Sequence, residues 1–316
     1  MKNLKNYIFI LIILLGLFFL YIKKAHLKYF LDINVFELIA LLAISYLGFL
    51  MLGFSFKFIL KIFALTLSFR EWFGLTVCNS MFNYYLPAKG GTIAKAFYLK
   101  KYYGFGYSYY ISLMTGSTII GFALIASIGL IGVFLTYILT DRFLSIFAIL
   151  FSLLLAGSLL SGVLTKFALR LKINIRHKKF NSLVINLKEG ISYFRTHRKL
   201  TLYFCLFSIL FILFMSIRLY ICFIALDQDV NFLDILIIRS ITEFSFLISL
   251  VPGNLGIKEG IIIFSAGIFN IHGDQVVVAV ILDRAVSMFF VFGLGFLYSK
   301  ILLGELSKER AKEVVQ

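Results

Sequence analysis

"LVPGNLGIKEG", residues 250–260, interrupts a long apolar stretch with a proline, three spaced glycines and an adjacent Lys258–Glu259 pair. The chain has 2 prolines in 316 residues, and the other sits in a similar setting, "YLPAKGGTIAK", residues 85–95. Superposing Pro87 on Pro252 also superposes Gly91 on Gly256, and a long apolar segment follows each. Proline removes a backbone donor and clashes with the preceding turn, whereas glycine accepts dihedrals that other residues avoid. Together they break a helix. Within hydrocarbon such a break is tolerated only where protein buries it or where it lines a wet cavity. Two breaks of this kind predict a polar site near the middle of a membrane.

The surrounding sequence supports a membrane setting. Hydrophobic residues make up 61% of the chain, against roughly 45–50% in soluble domains. Apolar runs recur at about 7–22, 35–56, 71–86, 108–139, 143–165, 200–226, 234–251 and 275–300, with shorter ones at 92–99 and 257–271. A bilayer core needs roughly 20 apolar residues per helix, so the fold is read as all-α, a polytopic transmembrane helical bundle of about eight spans. A β-barrel would alternate over segments of about ten residues instead. The first run is read as a retained span, because Lys23 and Lys24 follow it without a small-x-small cleavage site.

A net charge of +16 in a soluble protein would point to nucleic acid. Here the basic residues fall mostly between apolar runs, where they set topology and meet anionic lipid. No nucleic-acid partner is expected. The 166–199 connection carries ten Lys/Arg and is placed inside, whereas 227–234 holds three acids and is placed outside. Leu183, Leu187, Ile191 and Phe194 recur at helical spacing within the basic connection, as an amphipathic helix or a solvated loop would allow. Both termini are then cytoplasmic; the basic 23–34 loop is the exception to this pattern. The organisation expected is one integral membrane domain over 1–316. Residues 1–165 form a first half, 166–199 a basic cytoplasmic connection and 200–316 a second half. The hairpin at Pro87 enters from the inside and that at Pro252 from the outside, the pattern of inverted-repeat transporters.

Charges at membrane depth cost about 2.5–3.5 kcal/mol each on insertion scales. The chain nevertheless places Arg239, Glu243, Lys258, Glu259, Asp283 and Arg284 in its second half, and Lys89 and Lys95 in its first. They either neutralise one another or line a substrate site. The start of the helix after Gly256 favours an anion through its dipole. Lys258 or Arg284 would supply the counter-charge, with Glu259 orienting Lys258 or exchanging a proton. Asn83 and Asn254 flank the breaks and suit either a polar head group or the freed backbone. Cys78, Cys205 and Cys222 have no motif spacing, and the four histidines have no zinc-like spacing. No cofactor or metal is expected, and no nucleotide-binding motif occurs.

"VPGNLGIKEG" followed by "AVILDRAVS" resembles the second signature of the lysylphosphatidylglycerol synthase transmembrane region, a family of flippase-like membrane proteins. Pro252, Gly253, Gly256, Ile257, Lys258, Glu259, Asp283 and Arg284 match it. "NYYLPAKGGTIAKAFYL" resembles the first signature at Pro87, Lys89, Gly91 and Ala96; Lys95 replaces the usual Arg and Thr92 the usual Glu. A Glu-Arg pair common on the next helix is replaced by Ser117 and Thr118. The resemblance implies a stand-alone member without an aminoacyltransferase domain, in a prokaryotic plasma (inner) membrane. It implies translocation of a phospholipid or lipid-linked head group between leaflets, a transporter-like role and not an enzyme. Two alternatives are a membrane enzyme acting on a lipid-phosphate-linked donor, with Glu243, Glu259 or Asp283 as base, and a non-catalytic partner of a separate lipid synthase. A homodimer is a further possible assembly.

Overall fold

The computed structural model describes residues 33–86, 89–170, 189–190, 192–248, 251–271 and 274–313. The first apolar run, Pro87 and most of the basic connection lie outside the described residues. Among the described residues nine α-helices follow in order: α1 (Val35–Lys61), α2 (Phe69–Tyr85), α3 (Gly90–Tyr103), α4 (Tyr107–Thr140), α5 (Ser145–Arg170), α6 (Arg198–Ile224), α7 (Phe232–Glu243), α8 (Ile257–Ile268) and α9 (Asp274–Glu313). Two 3₁₀ turns, Phe244–Ile248 and Pro252–Asn254, separate α7 from α8. α1, α4, α6 and the Asp274–Leu302 part of α9 are long and apolar enough to cross a bilayer. This is a polytopic helical membrane protein.

Several helix starts follow from local chemistry. At α1, Phe36 N–H donates to Asn34 Oδ1 (3.1 Å) and Asn34 N–H donates to Glu37 Oε2 (3.1 Å). Glu71 reaches back to accept from both the backbone and the hydroxyl of Ser68 at the start of α2. Asn231 opens α7 by accepting from Leu233 N–H (2.9 Å).

α1 and α6 pack side by side in opposite directions. Ser45 meets Arg218, Gly48 lies against Met215, Phe54 stacks on Phe207 and Phe58 on Tyr203, so numbers rise along one helix as they fall along the other. The other contacts exchange partners between the halves. α2 runs antiparallel to α9, with Gly74 against Tyr298 and Met81 against Gly295. α4 packs on α7 in the same sense, with Gly132 against Ile237 and Phe122 stacked on Phe244. Helices α1–α4 therefore answer in order and in packing to α6–α9.

Large apolar side chains are also left outside: Phe134, Leu139, Leu153, Phe264 and Phe289 are all more than half exposed. In water this would be an aggregation surface. In hydrocarbon it is the lipid-facing side. Polarity is instead collected indoors, at the seam between two apolar clusters, one containing Leu219 and Leu282 and the other Phe49 and Val291.

Candidate functional site at the second helix break

The break after α7 takes its shape from its sequence. Gly253 (φ 63), Asn254 (φ 52) and Gly256 (φ 83) all adopt positive φ. Only glycine and, among side-chain-bearing residues, chiefly asparagine and aspartate enter that region readily. Asn254 Nδ2 donates to the Ser245 carbonyl (3.1 Å), tying the break to the preceding 3₁₀ turn. In the first half, Asn83 Oδ1 accepts from Gly91 N–H (2.9 Å), and Thr92 Oγ1 donates to Asn79 Oδ1 (3.4 Å). Farther along the same hairpin, Tyr98 and Tyr103 donate to Glu71. Both asparagines thus hold backbone that the breaks set free.

Gly91 leaves no room for a side chain, because a Cβ there would stand 2.0 Å from the Asn79 carbonyl oxygen. Gly91→Ala should therefore lower stability by about 1–3 kcal/mol, as overpacking does. A melting curve of the purified protein checks this, and an unchanged transition temperature would contradict the close α2–α3 approach.

Arginines from three helices organise the site. Arg218 Nε of α6 donates to Asp283 Oδ1 of α9 (2.8 Å), and its Nη1 donates to Ser45 Oγ of α1 (3.4 Å). Arg239 contacts Glu243 one turn later (2.6 Å). Arg284 lies 3.2 Å from Glu259, donates to the Gly253 carbonyl (2.5 Å) and covers the Tyr84 ring at 4.8 Å. Glu259 also accepts from Gly256 N–H (2.8 Å).

The sequence led us to expect that Glu259 would serve Lys258. Instead Glu259 caps its own helix and pairs with Arg284. A carboxylate already occupies part of the helix start where an external anion was expected. Lys258 has no ion pair among the described residues.

These groups surround a cavity of about 190 Å³. A single water needs only about 10–15 Å³ measured in this way. Lys89, Arg218, Arg239, Lys258 and Arg284 all line it, with Glu243 the sole acid on its wall. Asn83 and Asn254 also face it, as does Gly253. Two buried polar atoms around it, Arg239 Nε and Asn254 Oδ1, have no hydrogen-bond partner among the described residues. Such atoms are costly unless a water or ligand reaches them. Arg218, Arg239 and Arg284 are each paired with a carboxylate, whereas Lys258 has no ion pair among the described residues, and that ammonium makes an anion the fitting occupant.

Lys95 lines a different, neighbouring cavity and, with Gly91, a third one. Ser117 and Thr118 line that second cavity as well, each hydroxyl donating to the Met114 carbonyl. Arg218 was not singled out in the sequence. Its signal was there, a lone arginine in the apolar run "FMSIRLYICF", and an ionisable residue at that depth marks a site by default. Among the described residues no three potential metal-ligating side chains come together.

A family model described as lysylphosphatidylglycerol synthase TM region matches residues 7–295. The chain belongs to the lysylphosphatidylglycerol synthase transmembrane-region family. A similar protein is the UPF0104 membrane protein MJ1595 of Methanocaldococcus jannaschii, 24% identical over 81% of this chain and 82% of that one. UPF0104 membrane protein of Methanothermobacter thermautotrophicus matches at 33% identity over 22% of this chain and at 28% over 41%. Those two alignments span only 20% and 40% of the relatives' own lengths. No solved structure matches the chain. Within this lysylphosphatidylglycerol synthase transmembrane-region protein, Gly253 and Asn254 of the break meet Arg284 at one cavity, and Asp283 holds Arg218 of its wall.

Proposed function

We propose that this protein carries the head group of an anionic or zwitterionic lipid between leaflets while the acyl chains stay in the bilayer. The observation that supports this is the cavity itself, at the break between apolar helices, where Lys258 faces the open volume without an ion pair among the described residues and three paired arginines stand around it. Desolvated cations that keep unpaired donors bind phosphate or carboxylate far better than exposed ones do. The antiparallel correspondence of α1–α4 with α6–α9 supports access from alternate faces. Catalysis on a lipid-phosphate donor fits less well, because Glu243, Glu259 and Asp283 are each held by an arginine. A carboxylate so held is a weak base.

The test is reconstitution of the purified chain, without partner, into liposomes containing fluorescent phosphatidylglycerol and phosphatidylethanolamine. Dithionite should reach inner-leaflet label faster than in empty liposomes. Rates equal to those of empty liposomes, restored only by adding a separate synthase, would favour the role of membrane partner.

The same reading places the 166–199 connection and both termini inside. Single cysteines at Asn181 and Gln228, with native cysteines removed, should react with an impermeant maleimide from opposite sides. Reaction from one side would remove the two-sided access on which the proposal rests.

A further inference from the structure

A separate polar cavity opens where three interhelical turns meet, at the end of α6 opposite Arg198. It measures about 430 Å³ and is lined by Arg142, Gln228, Asp229, Asn231, Asp234 and Asn270 among others. Helices α4, α6 and α8 all end beside it, each turning off through a left-handed residue: Asp141 (φ 53), Asp227 (φ 54) and Asn270 (φ 59). The carboxyl end of a helix carries partial negative charge, which favours a cation. This cavity is distinct from the charged one at the break. Asp234 in the first turn of α7 and Glu243 at its end stand roughly 13 Å apart along the axis.

Asp234 is 4% exposed. Its Oδ2 accepts from Arg142 Nη2 at 3.3 Å, whereas its Oδ1 has no hydrogen-bond partner among the described residues. A buried carboxylate oxygen is costly until a donor reaches it. The Arg142 side chain is 44% exposed, so water screens the guanidinium and compensates Asp234 only in part. Asp229 lines the same cavity, exposed and with no ion pair among the described residues. Two carboxylates against one guanidinium leave one negative charge in excess.

The charge and the missing donor narrow the occupant. A neutral polyol would leave the negative charge in place. A divalent metal ion takes six or more oxygen ligands, several of them anionic. Here one of the two carboxylates is already held by arginine, and among the described residues no three potential metal-ligating side chains come together. A primary ammonium brings one positive charge and three N–H donors. Val230 and Phe269 on the wall are buried, so the open lining is mostly polar and offers no track for an acyl chain.

We propose that this cavity binds the ammonium group of a small, water-soluble primary amine. Asp234 Oδ1 and the Asp229 carboxylate accept two of its N–H groups, and the amide oxygen of Gln228 or Asn270 accepts the third. Arg142 stays on Asp234 Oδ2, and the filled site is neutral.

Calorimetric titration of the detergent-purified full chain with butylammonium chloride, in an amine-free buffer, tests it. The heat should saturate at one amine per chain. Tetramethylammonium has the same charge and no N–H, and should bind roughly tenfold more weakly. Asp234→Asn should weaken butylammonium by roughly tenfold or more, because it removes the buried charge that meets the ammonium. Arg142 is nearly half in solvent, so that variant strands no buried cation and should melt with the parent. Asp229→Asn, at an exposed position, should weaken binding several-fold, and it decides the matter if Asp234→Asn fails to fold. Arg142→Met should tighten binding several-fold, since both carboxylates then act on the ammonium uncompensated. No saturable heat with butylammonium would overturn the assignment. So would equal binding of the two cations, or a site filled by calcium or by dihexanoyl phosphatidylethanolamine but not by butylammonium.

Discussion

Asp283→Asn should destabilise the protein more than any substitution in the site outside the Arg218–Asp283 pair. Arg218 and Asp283 are both buried, and their 2.8 Å contact joins α6 to α9 across the seam of the two apolar clusters. Neutralising one partner leaves the other charge buried and uncompensated, which costs about 3–5 kcal/mol. In a chain of this length that lowers the melting temperature by roughly 10 °C. Arg218→Met should be as harmful, because the carboxylate is then stranded. The double variant Arg218→Met/Asp283→Asn should regain most of the loss, since a neutral pair of similar volume carries no desolvation penalty. Thermal melts of the three variants in detergent decide the matter. Single variants melting with the parent would show that water reaches this pair freely.

Lys258→Met should do the opposite, removing transport while sparing the fold. Lys258 lines the charged cavity and makes no ion pair among the described residues, so its loss strands no carboxylate. Translocation of labelled lipid should fall at least tenfold, and Lys258→Arg should restore most of it. Glu259→Gln belongs to a different class. It breaks the Arg284 contact and weakens the acceptor for Gly256 N–H, so the melting temperature should fall. Adding Lys258→Met to it should therefore bring no recovery of stability. A fully rescued double variant would mean that Lys258 and Glu259 are partners after all, and that the head-group role of Lys258 is wrong.

Much of this arrangement was legible in the residues because it depends on local rules. The apolar runs at 35–56 and 108–139 sit within α1 and α4, and the run at 200–226 covers most of α6 and passes its end at Ile224, since length and apolarity alone decide what can span. "PGNLG" signalled a break because it places Gly, Asn and Gly at the positions that adopt positive φ. Partner choice was not legible. Glu259 could have met Lys258, its neighbour in sequence, but adjacent residues on a helix do not face each other. The carboxylate turns instead to Arg284, whose place beside α8 depends on how α9 packs. Arg218 was missed for a related reason. It stands alone in its run, and Asp283, which justifies its presence, is 65 positions away.

The antiparallel pairing of α1 with α6 carries a consequence about counting. On the topology proposed above, the chain crosses with α1, α4 and α5 between the start of α1 and the start of α6, and the α2–α3 hairpin returns to the side it entered; of these, α1 and α4 are long and apolar enough to cross. Three is odd, so the second copy must begin on the opposite face of the membrane from the first. Parity alone fixes this, without any signal in the second copy itself. Deleting α5 would make the count even and would present α6 to the bilayer the same way up as α1. The Arg218–Ser45 contact could not then form, because the two helices would run in parallel. A variant lacking Ser145–Arg170 should therefore insert and yet fail to bring its two halves together, a fault of arithmetic in a chain whose every remaining residue is unchanged.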